Sequence, residues 1–298
     1  MVVEQTTRGT SIGARVASEA QARLLDWLDH EIVHVSGSHA SPVVSKVLER
    51  AADGDSLLRC LLYFLLFDPD APPASDPRPL FPLNFFAPGT GRLLARTSWD
   101  TNAAWFTYRL GWVQIDHQLG DGNQIEFYRK GEWLTKERTG YDLDGGASDN
   151  HNTLALENDP PEHNEPGDYR RILWERGSQW TYNPAGDPSI AALSLQPGFV
   201  HVAGDATPLY NSTYEGTTNV LHASRSLLWI KPDFVVVLDR ARSGRTDRFK
   251  RFWLNLPAQA AVSKSTATVR TASGQQLRIT SLLPAEADRK STRLNSSH

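Results

Sequence analysis

The spacing of apolar side chains changes once along the chain, from a helical period to an alternating one. Between residues 12 and 68 apolar side chains recur three to four positions apart, as at Leu24, Leu28 and Ile32, which predicts helices with one buried face. From residue 83 onward the apolar positions come in short alternating runs separated by glycine, proline and asparagine. This second pattern is typical of strands joined by tight turns.

A proline-rich stretch at residues 69–82 lies between the two patterns. Proline at this density cannot continue a helix, so we expect a linker between a helical segment, residues 1–68, and a β-domain, residues 83–287. Short strands at close spacing favour an antiparallel β-sandwich. The expected strands are 92–97, 104–110, 124–136, 153–157, 171–182, 199–203, 226–230, 234–240, 248–256, 266–271 and 276–282.

The densest set of reactive groups lies between residues 116 and 154. The runs 124–130 and 132–136 pivot about Gly131, which predicts a hairpin. A hairpin with a loop on either side can aim several reactive side chains toward one pocket: His117, Glu137, Tyr141 and His151. From residue types alone the competing interpretation is that these histidines only satisfy hydrogen bonds in loops, because their spacing fits no short metal motif.

Composition excludes several classes of protein. The 298 residues carry a net charge of −3 and a pI near 6.3, whereas a nucleic-acid-binding domain would show a basic surface and a high pI. Cys60 is the single cysteine, so no intrachain disulfide can form. The apolar run 57–67 is too short to cross a bilayer, and the first eight residues are too polar for a signal peptide.

Three blocks of the β-region carry a resemblance to a known family. They are Asp116-His117-Gln118-Leu119-Gly120-Asp121-Gly122-Asn123, then Glu126-Phe127-Tyr128-Arg129-Lys130-Gly131-Glu132-Trp133-Leu134, and then His151-Asn152-Thr153-Leu154. Together with the runs 91–99 and 228–239 they resemble, over roughly residues 79–256, the heparinase II/III-like family of polysaccharide lyases.

This resemblance implies a fold and a reaction. The implied fold is an α+β multidomain protein, in which the end of an (α/α) toroid is followed by an antiparallel β-sandwich. The implied reaction is β-elimination beside a uronic acid in an acidic polysaccharide, in a periplasmic or secreted protein. The proton to be removed lies α to a carboxylate, so the charge of that carboxylate must be neutralised before a tyrosine or histidine can take the proton.

Matching the family position by position assigns three groups to the reaction. His117 corresponds to the histidine of the sandwich domain that faces the cleft and would polarise the substrate or relay a proton. Tyr141 is a candidate helper at the same cleft. Arg138 could pair with a sugar carboxylate.

The same matching implies a zinc ion. Its ligands would be Glu137, where the family tends to have aspartate, and His151. Leu119 stands where the family usually has a further histidine ligand. The alternatives are a solvated strand end for Glu137 and a hydrogen-bonded loop histidine for His151.

Two segments depart from the family pattern. The toroid of the family is several times longer than residues 1–68, and its catalytic tyrosine and carboxylate-neutralising groups have no match here; Tyr63 is expected to be a core residue. The 298-residue chain is therefore expected to be inactive alone. The alternative function is a non-catalytic carbohydrate-binding or structural β-sandwich. Residues 288–298 match a translated sequencing adapter and are expected to be an artefact.

Overall fold

The structure, a computed structural model, covers most of the β-region. It describes Asp76 and residues 78–111, 119–138, 146–284 and 288. The chain divides into two units, Met1–Phe81 and Pro82–His298. In the first unit the described residues include a short 3-10 turn, Arg78–Leu80, whose first residue donates from its backbone and its guanidinium to the Asp76 carboxylate.

The second unit is built from antiparallel strands. The described strands are β1 (Asn84–Ala87), β2 (Arg92–Arg96), β3 (Ala104–Arg109), β4 (Gln124–Arg129), β5 (Glu132–Thr135), β6 (Leu154–Leu156), β7 (Ser189–Leu195), β8 (Phe199–Asp205), β9 (Val220–Ile230), β10 (Phe234–Ser243), β11 (Lys250–Phe252), β12 (Ala261–Ser263), β13 (Thr266–Arg270) and β14 (Gln276–Thr280). Strands β1 to β5 form one sheet in chain order, and a second sheet has the order β10-β9-β8-β7. Strand β11 pairs with β6, and β12 to β14 form a three-stranded sheet.

The predicted hairpin about Gly131 is confirmed. Arg129 pairs with Glu132, so the connection between β4 and β5 has two residues. Lys130 and Gly131 both have positive φ, 46° and 83°, as a type I′ turn requires. This turn type matches the twist of the strands, and it brings the end of β5 back beside the start of β4.

The core lies between the inward faces of the two large sheets. Along β3 the buried residues alternate with partly exposed ones, so Phe106 and Tyr108 point inward. The ring of Phe106 stacks on Trp229 of β9 at a centroid separation of 5.7 Å, and Phe127 meets the same indole edge-on at 6.1 Å. Each such buried side chain contributes about 1.5–3 kcal/mol through burial. These aromatic contacts hold the sheets together and provide a rigid base for the loops at their ends.

One predicted strand is wrong. Residues 171–182 do not form a strand; instead a seven-residue helix, α1, runs over Tyr169–Glu175. The Asp168 carboxylate accepts the backbone N–H of Arg170 and caps the helix. A short apolar run such as Ile172-Leu173-Trp174 has no readable period, and here only Leu173 of the helix is buried. Strands β1, β7 and β12, in contrast, were not among the expected strands.

The predicted α+β fold with the end of an (α/α) toroid is also wrong. The described residues are mostly β-strand, and α1 is the single α-helix among them. The physical reason is the period-two burial of these residues, which places their apolar side chains on sheet faces and leaves no helical stripe. The helices expected over residues 12–68, with Cys60 and Tyr63, lie outside the described residues. The domain boundaries at 68, 82 and 287 stay predictions.

No helix within the described ranges has both the length and the apolar character that spanning a bilayer requires.

Candidate functional site

Two of the side chains selected from the sequence are in direct contact. Glu137 follows β5, and His151 follows a 3-10 turn, Ser148–Asn150, in the loop before β6. The Nδ1 atom of His151 lies 2.8 Å from Oε2 of Glu137. Because an ionised carboxylate only accepts hydrogen bonds, Nδ1 carries a proton and donates a hydrogen bond to Glu137. The imidazole of His151 is fully buried, so this contact fixes its orientation.

The surroundings of Glu137 favour its ionised form. The same Oε2 atom accepts a second hydrogen bond, 2.6 Å from Nε2 of Gln124. Partial burial raises the pKa of Glu137, but the hydrogen bond and charge of His151 act against it, together with Gln124 and the charge of Arg109. The pKa of Glu137 therefore lies below the usual value for a glutamate.

A buried aspartate beside this pair is shifted in the opposite direction. Asp121 is almost wholly buried, and its Oδ2 lies 2.5 Å from Nη1 of Arg109. Burial raises the pKa of Asp121, and the positive charges of Arg109 and His151 offset only part of that effect. The negative charge of Glu137 adds to the upward shift. Asp121 thus holds a proton more tightly than an aspartate in water does.

Glu126 extends the set of carboxyl groups along β4. Its Oε1 accepts the backbone N–H of Glu137 at 3.3 Å, and burial raises the pKa of Glu126. Neighbouring carboxyl groups whose pKa values are pushed apart are the arrangement that acid and base catalysis requires. Within this cluster the pKa of Glu137 is therefore lowered, whereas the pKa values of Asp121 and Glu126 are raised.

Hydrogen bonds of the backbone and of serine hydroxyls hold together the two loops that carry Asp121 and His151. The N–H of Gly120 donates to the carbonyl of Gly146 at 2.8 Å, and Oγ of Ser148 donates to the carbonyl of Gly120 at 2.9 Å. The N–H of Ser148 in turn donates to Oγ of Ser178 at 2.9 Å. Because these contacts join loops that are far apart in sequence, the site is formed only by the tertiary fold.

Gly122 allows the close approach of a buried amide. Its N–H donates to Oε1 of Gln179 at 2.7 Å, and its carbonyl accepts from Nε2 of the same amide at 2.9 Å. A Cβ atom at Gly122 would lie 2.4 Å from Leu209 and 2.7 Å from Oε1 of Gln179. A larger residue between Asp121 and Asn123 would therefore require the side chains of Leu209 and Gln179 to shift.

The remaining selected residues have different outcomes. His117 and Tyr141 lie outside the described residues, so their catalytic roles stay predictions. Arg138 has an exposed side chain, and its backbone N–H donates to the carbonyl of Asn150 at 2.9 Å. This bond ties the strand end to the loop of His151. The pairing of Arg138 with a sugar carboxylate also stays a prediction.

The donor atoms of the described residues do not fit the three-ligand zinc site that the resemblance implies. Glu137 and His151 are hydrogen-bonded to each other, and Leu119 has no donor atom. Nowhere in residues 78–111, 119–138 and 146–284 do three or more histidine, cysteine or acidic side chains group as a metal site would require. We therefore assign no chemical step to a metal.

Sequence reasoning missed the groups that surround the pair. Gln124 and Arg109 face each other across β3 and β4, and the two-residue alternation of the strands places both on the same face. The hairpin pattern together with that alternation could have suggested them. Asp121 was visible only as part of a polar turn, and its burial follows from contacts with distant residues.

Solved structures include folds similar to that of this chain. A heparinase III gene product shares 14% identity and a TM-score of 0.50 over 79% of this chain and 34% of its own. A mutant of heparan sulfate lyase HepC from Pedobacter heparinus shares 16% identity and a TM-score of 0.51 over 83% of this chain and 34% of its own. The chain thus spans about a third of the length of these proteins. No family model and no curated protein matches it. At such identities the likeness concerns the fold, which is polysaccharide lyase-like.

Proposed function

We propose that this chain supplies the β-sandwich part of a polysaccharide lyase that cleaves a uronate-containing glycosaminoglycan by β-elimination. The observation that carries the proposal is the buried Glu137–His151 pair beside Asp121, in a fold like that of heparinase III structures. The pair, together with the hydrogen bond from the backbone N–H of Arg138 to the carbonyl of Asn150, fixes the strand end that carries Arg138.

The proposed reaction removes one proton and breaks one bond. A base takes the proton α to the uronate carboxylate, the C–O bond to the neighbouring sugar breaks, and the departing oxygen gains a proton. A cation must first neutralise the uronate charge, and we assign this role to Arg138. We assign proton transfer to His117 with help from Tyr141. Glu137 and His151 then act by holding the adjoining loop in place.

The position of Arg138 supports its assignment. Its side chain is exposed, directly after Glu137, and its backbone is tied to the loop of His151 through Asn150. A guanidinium at that point can present parallel donors to a planar carboxylate. Lysine offers a point charge instead, so Arg138→Lys should weaken uronate binding although the total charge stays the same.

Cleavage and binding need separate experiments. The proposed lyase, of which this chain would be the β-sandwich part and which is called the longer protein below, should release unsaturated uronates, detected by ultraviolet absorbance, from at least one of heparan sulfate, hyaluronan and alginate. His117→Ala in that protein should abolish the signal while glycan binding persists. The 298-residue chain alone should bind the same glycan without cleaving it, because no residue in it matches the upstream catalytic groups of the family. Binding without cleavage by the longer protein would overturn the proposal.

A non-catalytic carbohydrate-binding sandwich is the second candidate. The observation that favours it is a cluster of three aromatic rings, Trp105, Tyr128 and Trp133, whose centroids lie 5.2–6.1 Å apart. Aromatic faces can stack on sugar rings. Under this alternative Trp133→Ala would remove glycan binding, and His117→Ala would have no effect on any property of the longer protein.

A further inference from the structure

Arg225 is a fully buried charged residue outside the cluster described above. It lies on β9 directly opposite Asp239 on β10. Its Nε and Nη2 atoms donate to the two carboxylate oxygens of Asp239 at 2.7 and 2.9 Å. The ring of Phe252 lies 4.9 Å from the guanidinium carbon. This bidentate pair neutralises the charge and fixes the plane of the guanidinium.

The remaining hydrogen bonds of this guanidinium go to the two loops of the candidate site. Nη1 donates to the backbone carbonyl of Asn123 at 2.7 Å and to that of Asn152 at 2.6 Å. Asn123 is two residues after Asp121, and Asn152 directly follows His151. One nitrogen atom therefore joins the loop of the buried acid to the loop of the imidazole.

The side chains of both asparagines anchor these loops further. Oδ1 of Asn123 accepts the hydroxyl proton of Tyr108 at 2.6 Å, and Nδ2 of Asn152 donates to the carbonyl of Ile125 at 2.7 Å. Asn123 has a φ of 63°, a left-handed conformation that asparagine tolerates better than most residues. The conformations that present the two backbone carbonyls to Arg225 thus depend on the surrounding fold.

Burying a guanidinium carries a large desolvation cost. An apolar side chain at this position on β9 would pack against the core without the desolvation that a charge suffers. What an apolar side chain cannot supply is direction, because a planar guanidinium fixes the positions of its acceptors. The hydrogen bonds of this buried charge to two loop carbonyls therefore indicate that Arg225 sets the positions of the two loops.

We propose that Arg225 is the positioning residue of the candidate site, acting through Asn123 and Asn152 to set the separation of Asp121 from the Glu137–His151 pair. Its effect on catalysis rests on the proposed function, whereas its effect on geometry does not. Asp239 belongs to the same unit because it holds the guanidinium in its plane.

The geometric part can be tested on this chain by NMR with 15N-labelled histidine. The buried Nδ1–H of His151, assigned by its loss in His151→Gln, should give a resonance protected from exchange with water. Arg225→Lys keeps the charge opposite Asp239 but cannot reach both carbonyls. We expect the resonance to shift and to lose its protection in Arg225→Lys, while the circular dichroism spectrum stays native.

Arg248→Lys is the matched control. Arg248 is also nearly buried and donates to two carboxylates, Glu157 at 3.0 Å and Asp159 at 2.5 Å, but it contacts neither loop of the site. Arg248→Lys should lower the thermal stability of the protein and leave the resonance of His151 unchanged. If Arg225→Lys fails to fold, Asp239→Asn takes its place, because it keeps the size of the side chain, removes the charge and replaces one of the two acceptor oxygens with an amide donor. An unchanged resonance in a folded variant at Arg225 or Asp239 would overturn the proposal.

The catalytic part is tested on the longer protein. The loop of His151 holds Arg138 through the carbonyl of Asn150, and displacing such a group by about 1 Å can cost roughly a hundredfold in rate. We therefore expect Arg225→Lys to lower kcat by up to about a hundredfold with little change in KM. A shifted resonance with unchanged kcat would overturn the catalytic role of Arg225. A longer protein that cleaves no glycan would reject the proposed function, and the NMR result would still decide the geometric role.

Discussion

Two regions of the same β-unit are built on opposite principles. Between the sheets, Phe106, Phe127 and Trp229 make apolar contacts that have little directional preference. Where the strands give way to the site loops, Asn123 and Arg225 make hydrogen bonds whose distances and angles are narrowly defined. Both regions are buried.

The apolar core therefore determines the stability of the fold, whereas the polar layer determines where the side chains of the site lie. An apolar core stabilises the fold through its buried area and can repack after a small change. A buried polar layer costs desolvation and gains only a modest net stabilisation, but each donor specifies where its acceptor lies. Changes in the core should therefore reduce the free energy of unfolding most, and changes in the polar layer should move His151.

The largest expected effect is on stability and comes from the core. Trp229→Ala removes a fully buried indole that both Phe106 and Phe127 contact, which should cost about 3–5 kcal/mol. Denaturant unfolding would measure the loss. Phe234→Ala is the control, because that ring is 69% exposed, and it should change stability by less than about 0.5 kcal/mol. Equal losses in the two variants would break the comparison.

A smaller effect is expected in the polar layer. Tyr108→Phe removes the hydroxyl that donates to Oδ1 of Asn123, so the buried amide loses a donor at a cost of about 1–3 kcal/mol. The resonance of His151 should also move, which we do not expect for a core variant that stays folded. Tyr214→Phe, at a half-exposed ring, is the control and should change neither property. A shift in the control alone would contradict the assignment.

The smallest effect is a dependence of stability on pH. Because the pKa of Glu137 is lowered by folding, its ionised form stabilises the protein at neutral pH, and this contribution is lost as pH falls through the folded-state pKa. The difference in unfolding free energy between the natural protein and Glu137→Gln should therefore shrink as pH is lowered from about 7 to about 3. Denaturant titrations at several pH values would measure it. A constant difference would mean that His151 does not stabilise the charge.

Asp121→Asn should show the opposite sign. Burial raises the pKa of Asp121, so the folded state binds its proton more tightly than the unfolded chain does. Stability is therefore lost as pH rises from the ordinary aspartate pKa through the raised one. Relative to Asp121→Asn, the natural protein should become less stable over that interval. Parallel curves for the two proteins would contradict the opposite pKa shifts that distinguish Glu137 from Asp121.

The parts of the fold that could be predicted are those that neighbouring residues decide. The hairpin about Gly131 follows from two short runs around a two-residue turn, and the alternation in β3 identifies Phe106 as a core residue. Helix α1 was predicted as a strand because three consecutive apolar residues carry no period, and Asp168 acts as a cap only once the preceding loop is in place. The expected toroid depended on a resemblance, and the described residues contradict it.

For the candidate site, the sequence allowed some of the participating residues to be chosen but did not show how they are arranged. Glu137 and His151 were chosen as metal ligands because they match ligand positions of the family, and the structure places their side chains in contact with each other. Arg225 could not be chosen, because an arginine within an alternating strand is normally a solvated residue. Asp121 could not be ranked either, since nothing nearby in sequence indicates that it is buried.

By itself, the sequence determined which residues alternate, where the chain turns and which reactive groups it contains, because these properties depend on a few consecutive residues. Only the tertiary structure decided which of those groups share a site. Arg225 reaches the carbonyl of a residue 102 positions away, and Gln179 reaches one 57 positions away. Contacts over such separations depend on the register and packing of whole sheets, and no local period records them.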